Sequence, residues 1–114
     1  MNYIKNIEHE KTIQLTTQIS AQQGQVVSKT LAQNQNVSIT LFAFSKGEEI
    51  STHESKGDAM VTVLEGTGKF IIDKNEFELK EGQTIIMPAN KPHSVHATEN
   101  FKMILTVIFP ASEQ

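Results

Sequence analysis

The chain has 114 residues and a formal net charge of −3, and it contains neither cysteine nor arginine. Its length suits a single domain spanning residues 1–114, and the lack of cysteine excludes disulfides and thiolate metal sites. Because arginine supplies the bidentate contacts to guanine and phosphate, and the lysines form no cluster, nucleic acid is not expected as a partner.

The N-terminus is polar from residue 1 to residue 6 and offers no apolar core of a secretory signal. No apolar run approaches the roughly 20 residues that span a bilayer. The sequence therefore predicts a cytoplasmic protein without a membrane partner.

The first 36 residues are rich in glutamine and weakly patterned. Residues 10–15 and 25–31 are predicted to be outer strands, with a turn around Gly24 between them. A short helix near Ile7 is the competing interpretation.

Beyond this region, Val, Ile, Thr and Phe dominate short segments with a period of two, which is typical of strands. The clearest are residues 37–44, 76–80 and 101–109. Beyond Gly66, turn signals recur about every eight residues, which favours an all-β sandwich or barrel. Segments 37–44 and 101–109 are apolar on both faces. Either another sheet of the same chain covers them or they form the interface of a homodimer.

Two segments carry a more specific pattern, in residues 47–66 and residues 82–97. The first resembles motif one of the cupin superfamily, G-x5-H-x-H-x3,4-E-x6-G, and the second resembles motif two, G-x5-P-x-G-x2-H-x3-N. The matching residues are Gly47, His53 and Gly66 in motif one and Gly82, Pro88 and His93 in motif two. The resemblance implies an all-β fold, a double-stranded β-helix or jelly-roll barrel, with its site inside the wider mouth.

The sequence departs from the family pattern at the residues that usually bind a metal. Ser55 stands at the second histidine position, Ala59 at the glutamate position and Ala97 at the motif-two asparagine position. Only His53 and His93 remain of the usual four ligands. Two imidazoles fall short of the three protein ligands of typical zinc and non-haem iron sites, so at best weak binding of a divalent transition metal is expected.

Strand parity gives the same candidate pocket without reference to the family. In a continuous strand, His53, Ser55 and Ala59 point inward, and Glu54 and Asp58 point outward. By the same argument, His93 faces the pocket and His96, of opposite parity, faces solvent. The predicted ligand pocket is therefore formed by His53, Ser55, Ala59 and His93.

Three functions fit this pattern. The first is a module that binds or senses a small molecule in a mostly apolar pocket with two histidines. The second is an enzyme, either a metal-dependent oxygenase or isomerase with a reduced ligand set, or a metal-free enzyme with His53 or His93 as general base. The third is a mainly structural dimeric domain. The family's second histidine and its glutamate are absent from the pocket, where Ser55 and Ala59 take their places. The pocket is therefore expected to be drier, which favours a binding function over hydrolytic or redox chemistry.

Overall fold

The computed structural model describes residues 3–111, and this part of the chain forms nine strands and one short 3-10 helix, Leu15–Thr17. The described residues include no helix with the length and apolar character needed to cross a membrane. The strands are, in chain order, β1 (Val26–Gln33), β2 (Val37–Phe44), β3 (Glu49–His53), β4 (Asp58–Glu65), β5 (Thr67–Ile72), β6 (Asn75–Lys80), β7 (Thr84–Met87), β8 (His93–His96) and β9 (Phe101–Ile108).

The strands form two antiparallel sheets, a five-stranded sheet in the order β1-β2-β9-β4-β7 and a four-stranded sheet in the order β3-β8-β5-β6. The main core lies between them. At its centre Phe44 stacks on Phe101 with ring centroids 4.6 Å apart, and Phe70 meets Phe101 edge-on at 6.2 Å. Such aromatic pairs bury large apolar areas in favourable geometry. The predicted all-β jelly-roll fold is confirmed.

The five-stranded sheet is apolar on both faces, and the chain covers the two faces differently. The four-stranded sheet covers the inner face. On the outer face, the N-terminal segment forms a second small core, in which Ile19 packs with Leu31, Leu41 and Ala43, all buried. The N-terminal segment thus provides part of the second cover that the sequence requires.

The N-terminal segment is not the strand predicted for residues 10–15, nor does it form a helix near Ile7. Glu10 has a positive φ of 57°, which interrupts extended backbone, and Leu15 begins the 3-10 helix. The segment is tied to β1 by a hydrogen bond from the Lys5 N–H to the Leu31 carbonyl, 2.7 Å. The second predicted strand is confirmed as β1, after a turn at Gly24.

One part of the outer face remains uncovered within the described residues. Met60, Ile86 and Ile108 are 45, 49 and 57% exposed. They lie on β4, β7 and β9, which are neighbours in the sheet, and Met60 pairs directly with Ile86. We call these three residues the outer patch.

Candidate functional site

A cavity of about 480 Å³ opens between the two sheets. Its walls are mostly apolar, formed by Phe42, Ile50, Ala59, Met87, Val95, Met103, Leu105, Val107 and Phe109. The polar lining comes from five residues, His53, Glu54, Ser55, Lys56 and His93. His53, Glu54 and Lys56 are exposed and lie where the cavity meets solvent, whereas His93 is buried deeper in the cavity wall.

The two histidines are cross-strand neighbours. His53 on β3 pairs with His93 on β8, which places both side chains on the cavity face. Their ring centroids are 4.3 Å apart, and the ring planes meet at 64°. His93 is only 3% exposed, so one imidazole is enclosed and the other is open to solvent.

An irregularity in β3 allows this arrangement. Ile50 pairs with Val95 and His53 pairs with His93, so three steps along β3 match two steps along β8. The extra residue is a β-bulge, which changes the direction of the side chains that follow it. Ile50 and His53 would face opposite sides of a regular strand, whereas here both line the cavity.

The structure brings all four residues of the predicted pocket, His53, Ser55, Ala59 and His93, to this cavity. The assumption of one continuous strand is nevertheless wrong, because β3 ends at His53 and β4 begins at residue 58. Glu54 was expected to point outward but lies in the cavity lining, since strand parity does not hold through residues 54–57.

Parity does hold within β4, where Ala59 is buried and its neighbour Asp58 is exposed. One Asp58 carboxylate oxygen accepts a hydrogen bond from the Ala89 N–H, 2.8 Å. Asp58 therefore joins the turn before β8 to β4, and it is absent from the cavity lining.

His96 lies on the opposite face of β8 from His93, as parity predicts. Its Nε2 is 2.9 Å from the Ser94 hydroxyl, and its Nδ1 is 3.4 Å from a carboxylate oxygen of Glu49. These partners hold the ring away from the cavity, so His93 and His96 do not act as a pair.

Within residues 3–111, no group of three or more His, Cys, Asp or Glu side chains is arranged to hold a metal ion. The pair His53 and His93 supplies two imidazoles, and typical zinc or non-haem iron sites need a third protein ligand. The described residues therefore do not fit the metal site that the fold family often carries.

The surroundings of His93 disfavour its charged form. Burial lowers the pKa of His93 below the ordinary value of 6.5, the Lys91 carbonyl partly opposes this, and the nearby His53 lowers it further. The His93 imidazole is thus held neutral over a wider pH range than a solvated one.

This pKa predicts how stability depends on pH. Below pH 6.5 the unfolded chain takes up a proton at residue 93 that the folded chain resists, so the free energy of unfolding falls on acidification until the folded pKa is reached. Above pH 6.5 the His93 imidazole is neutral in both the folded and the unfolded chain, so it does not make the free energy of unfolding depend on pH. Denaturant titrations at pH 7.5 and pH 5.5 are expected to show a smaller loss for His93→Asn than for the wild type. Equal losses would contradict the assignment.

The comparisons with known proteins agree with this architecture. The family model described as the cupin domain matches residues 40–109. A conserved protein of unknown function from Streptococcus pyogenes is 47% identical, with 98% of both chains covered and a TM-score of 0.96. A cupin superfamily protein from Desulfitobacterium hafniense is 32% identical over 94% of this chain and 98% of its own, with a TM-score of 0.90.

A cupin 2 conserved barrel domain protein from Leptotrichia buccalis is 45% identical, covering 76% of this chain and 42% of its own, with a TM-score of 0.75. No curated protein matches the sequence. The resemblance in residues 47–66 and 82–97 is thereby confirmed, and the chain belongs to the cupin domain family.

Proposed function

We propose that this cupin binds or senses a small, predominantly apolar molecule in the cavity between its sheets. The observation that supports this is the lining itself, which is apolar along its walls and polar only beside His53 and His93. Ligand sites commonly have volumes of about 300–1,000 Å³, apolar walls and a few polar groups that orient the ligand. The cavity of about 480 Å³ fits that description.

Filling the cavity tests this proposal. Ala59 is buried and lines the cavity, so Ala59→Leu is expected to lower the affinity for butylbenzene and 4-butylphenol at least about tenfold by occupying their space. Met60→Leu is the matched control, because Met60 is the next residue on β4 and faces outward. Ligand-observed NMR measures both affinities. Equal binding by the two variants would place the ligand outside the cavity.

The same site suggests a second candidate, a metal-free enzyme with His93 as general base. The supporting observation is the burial of His93 in the cavity wall, which lowers its pKa and so favours the unprotonated imidazole that a general base requires. Native mass spectrometry of freshly purified protein separates the candidates. If the co-purified organic molecule keeps its mass while it is incubated with the protein, the result supports the binding protein. If the protein converts it to a molecule of different mass, the result supports the enzyme.

We also propose that the protein is a homodimer formed through the outer patch. Three large apolar side chains exposed together are unfavourable on a monomer. Light scattering at micromolar concentration is expected to give twice the 12.7 kDa of one chain. Ile108→Glu is expected to give monomers, whereas Phe77→Glu, which changes an exposed apolar residue on the other sheet, leaves the dimer intact. A monomeric wild type would refute the proposal.

A further inference from the structure

We infer that the molecule bound in the cavity carries a neutral hydroxyl group that donates a hydrogen bond to the histidine pair. This inference rests on the proposed binding function and specifies its ligand class, an alcohol or phenol on an apolar body. The hydrogen bonds that the two imidazoles already make, and the position of both rings in the cavity lining, support this ligand class.

The chain itself fixes the tautomers of both rings. The Nδ1 of His93 is 3.0 Å from the Lys91 carbonyl oxygen, and the Nδ1 of His53 is 2.9 Å from the Ser51 carbonyl oxygen. A carbonyl oxygen can only accept, so each Nδ1 carries the proton and donates it. In each neutral ring the Nε2 is then a hydrogen-bond acceptor with a lone pair and no proton.

The Nε2 of His93 is open to the cavity. Its ring makes a hydrogen bond within residues 3–111 through Nδ1 alone. In the described part of the chain, every side-chain nitrogen or oxygen that is fully shielded from solvent has a hydrogen-bond partner. The Nε2 of His93 has no such partner among these residues, so it is not fully shielded, even though the residue as a whole is only 3% exposed. Its Nε2 therefore keeps accessible surface, and His93 is part of the cavity lining. A ligand that enters the cavity covers this acceptor, which is costly unless the ligand donates to it.

The neighbouring groups favour a hydroxyl over a purely accepting head group. The oxygen of a ketone, ether or carboxylate can only accept a hydrogen bond, and here it would face the Nε2 lone pairs of two rings whose centroids are only 4.3 Å apart. No hydrogen bond forms between two acceptors, so such a head group leaves Nε2 unsatisfied. The Ser55 hydroxyl, also in the lining, accepts from the Gly57 N–H at 3.2 Å, and its own hydrogen remains available for donation. A ligand hydroxyl combines the two required properties, because it donates to Nε2 and accepts from a serine.

Three probes with the same apolar body test the inference: 4-butylphenol, its methyl ether 4-butylanisole, and 4-butylbenzoate. At pH 8 an imidazole of ordinary pKa and a phenol are both neutral. The phenol is expected to bind about tenfold or more tightly than the ether, since only the phenol satisfies Nε2. This advantage is expected to vanish in His93→Ala and persist in His96→Ala, because His96 faces away from the cavity.

Three other outcomes of this experiment would each overturn the hydroxyl inference, and they differ in what they imply for the proposed binding function. Equal affinity for phenol and ether in the wild type, lost in Ala59→Leu, would overturn the hydroxyl inference and leave the proposed binding function intact. Tighter binding of the benzoate would assign recognition to Lys56 at the mouth and also overturn the inference. Failure of all three probes to bind would refute both this inference and the proposed function.

A second measurement needs neither ligand nor variant. Long-range proton–nitrogen NMR of the imidazoles at pH 8 reports which ring nitrogen is protonated. Both His53 and His93 are expected to show a protonated Nδ1 and an unprotonated Nε2. A protonated Nε2 on His93 would overturn the inference even if the phenol binds.

Discussion

The double variant Ser55→His/Ala59→Glu is expected to gain about 10 °C in melting temperature when nickel is added in large excess over its Kd, while the wild type shifts little. Positions 53, 55, 59 and 93 all line the cavity, and the variant places three imidazoles and one carboxylate there. That donor set suits zinc, nickel, iron or manganese. Metal that binds only the folded state at a hundredfold its Kd adds about 2.7 kcal/mol, which for a domain of this size gives that shift.

Without metal, the variant is expected to be less stable than the wild type, because Ala59 is buried and a carboxylate at its position loses solvation. Ser55→His/Phe77→Glu is the matched control, since it places the same carboxylate at an exposed position on the other sheet, away from the cavity and from the outer patch. Its melting temperature is expected to rise much less with nickel. A large rise in the wild type would show that a native ligand had been missed, with Glu54 at the cavity mouth the first candidate. No rise in any variant would show that the four positions do not converge on one point.

The substitution Gly66→Ala is expected to lower the free energy of unfolding by about 3 kcal/mol, through two separate effects. Gly66 has a φ of +77°, a conformation that disfavours a side chain. A Cβ at this position would also overlap the Asn100 carbonyl oxygen and lie 2.9 Å from the Cβ of Phe101. Since Phe101 is at the centre of the core, the backbone there has little room to move.

Two other glycines separate these effects. Gly24 has a similar φ of +72° with nothing within 4 Å of the added Cβ, so Gly24→Ala is expected to cost only about 1 kcal/mol. Gly68 has no positive φ, but its added Cβ would lie 2.7 Å from the ring of Phe101, so Gly68→Ala tests the steric effect alone. Urea unfolding measures all three free energies. A cost for Gly66→Ala no larger than that for Gly24→Ala would show that the close approach to Phe101 does not constrain the fold.

Local signals in the sequence were sufficient to predict an all-β sandwich or barrel, and the resemblance to the cupin motifs supplied the jelly-roll architecture. A period of two marks β2, β6 and β9, and three glycines between strands, Gly47, Gly66 and Gly82, have a positive φ. The placement of His93 and His96 on opposite faces of β8 also follows from parity alone, since that strand is regular. Ala59 faces inward for the same reason.

The remaining features depend on contacts between distant parts of the chain. The bulge before His53 is defined by pairing with β8, about 40 residues later. Neither Ser51 nor Thr52 is a residue type that predicts a bulge. Glu54 and Lys56 reach the cavity because the strand stops, which parity cannot indicate. The sequence pattern of the N-terminal segment is that of a weak strand, but the segment packs on the outer face without forming a strand. Burial of its apolar side chains there does not require strand pairing.

The order of the five-stranded sheet has a consequence for biosynthesis. β9 lies between β2 and β4, so the strand made last among the nine is an interior strand of the sheet. While the chain emerges from the ribosome, β2 and β4 each have one edge that can find its partner only after residue 108 has been synthesised. Unpaired strand edges in an incomplete chain are prone to aggregation. The five-stranded sheet therefore cannot close until β9 has been synthesised, and the strands made before it need protection until β9 inserts.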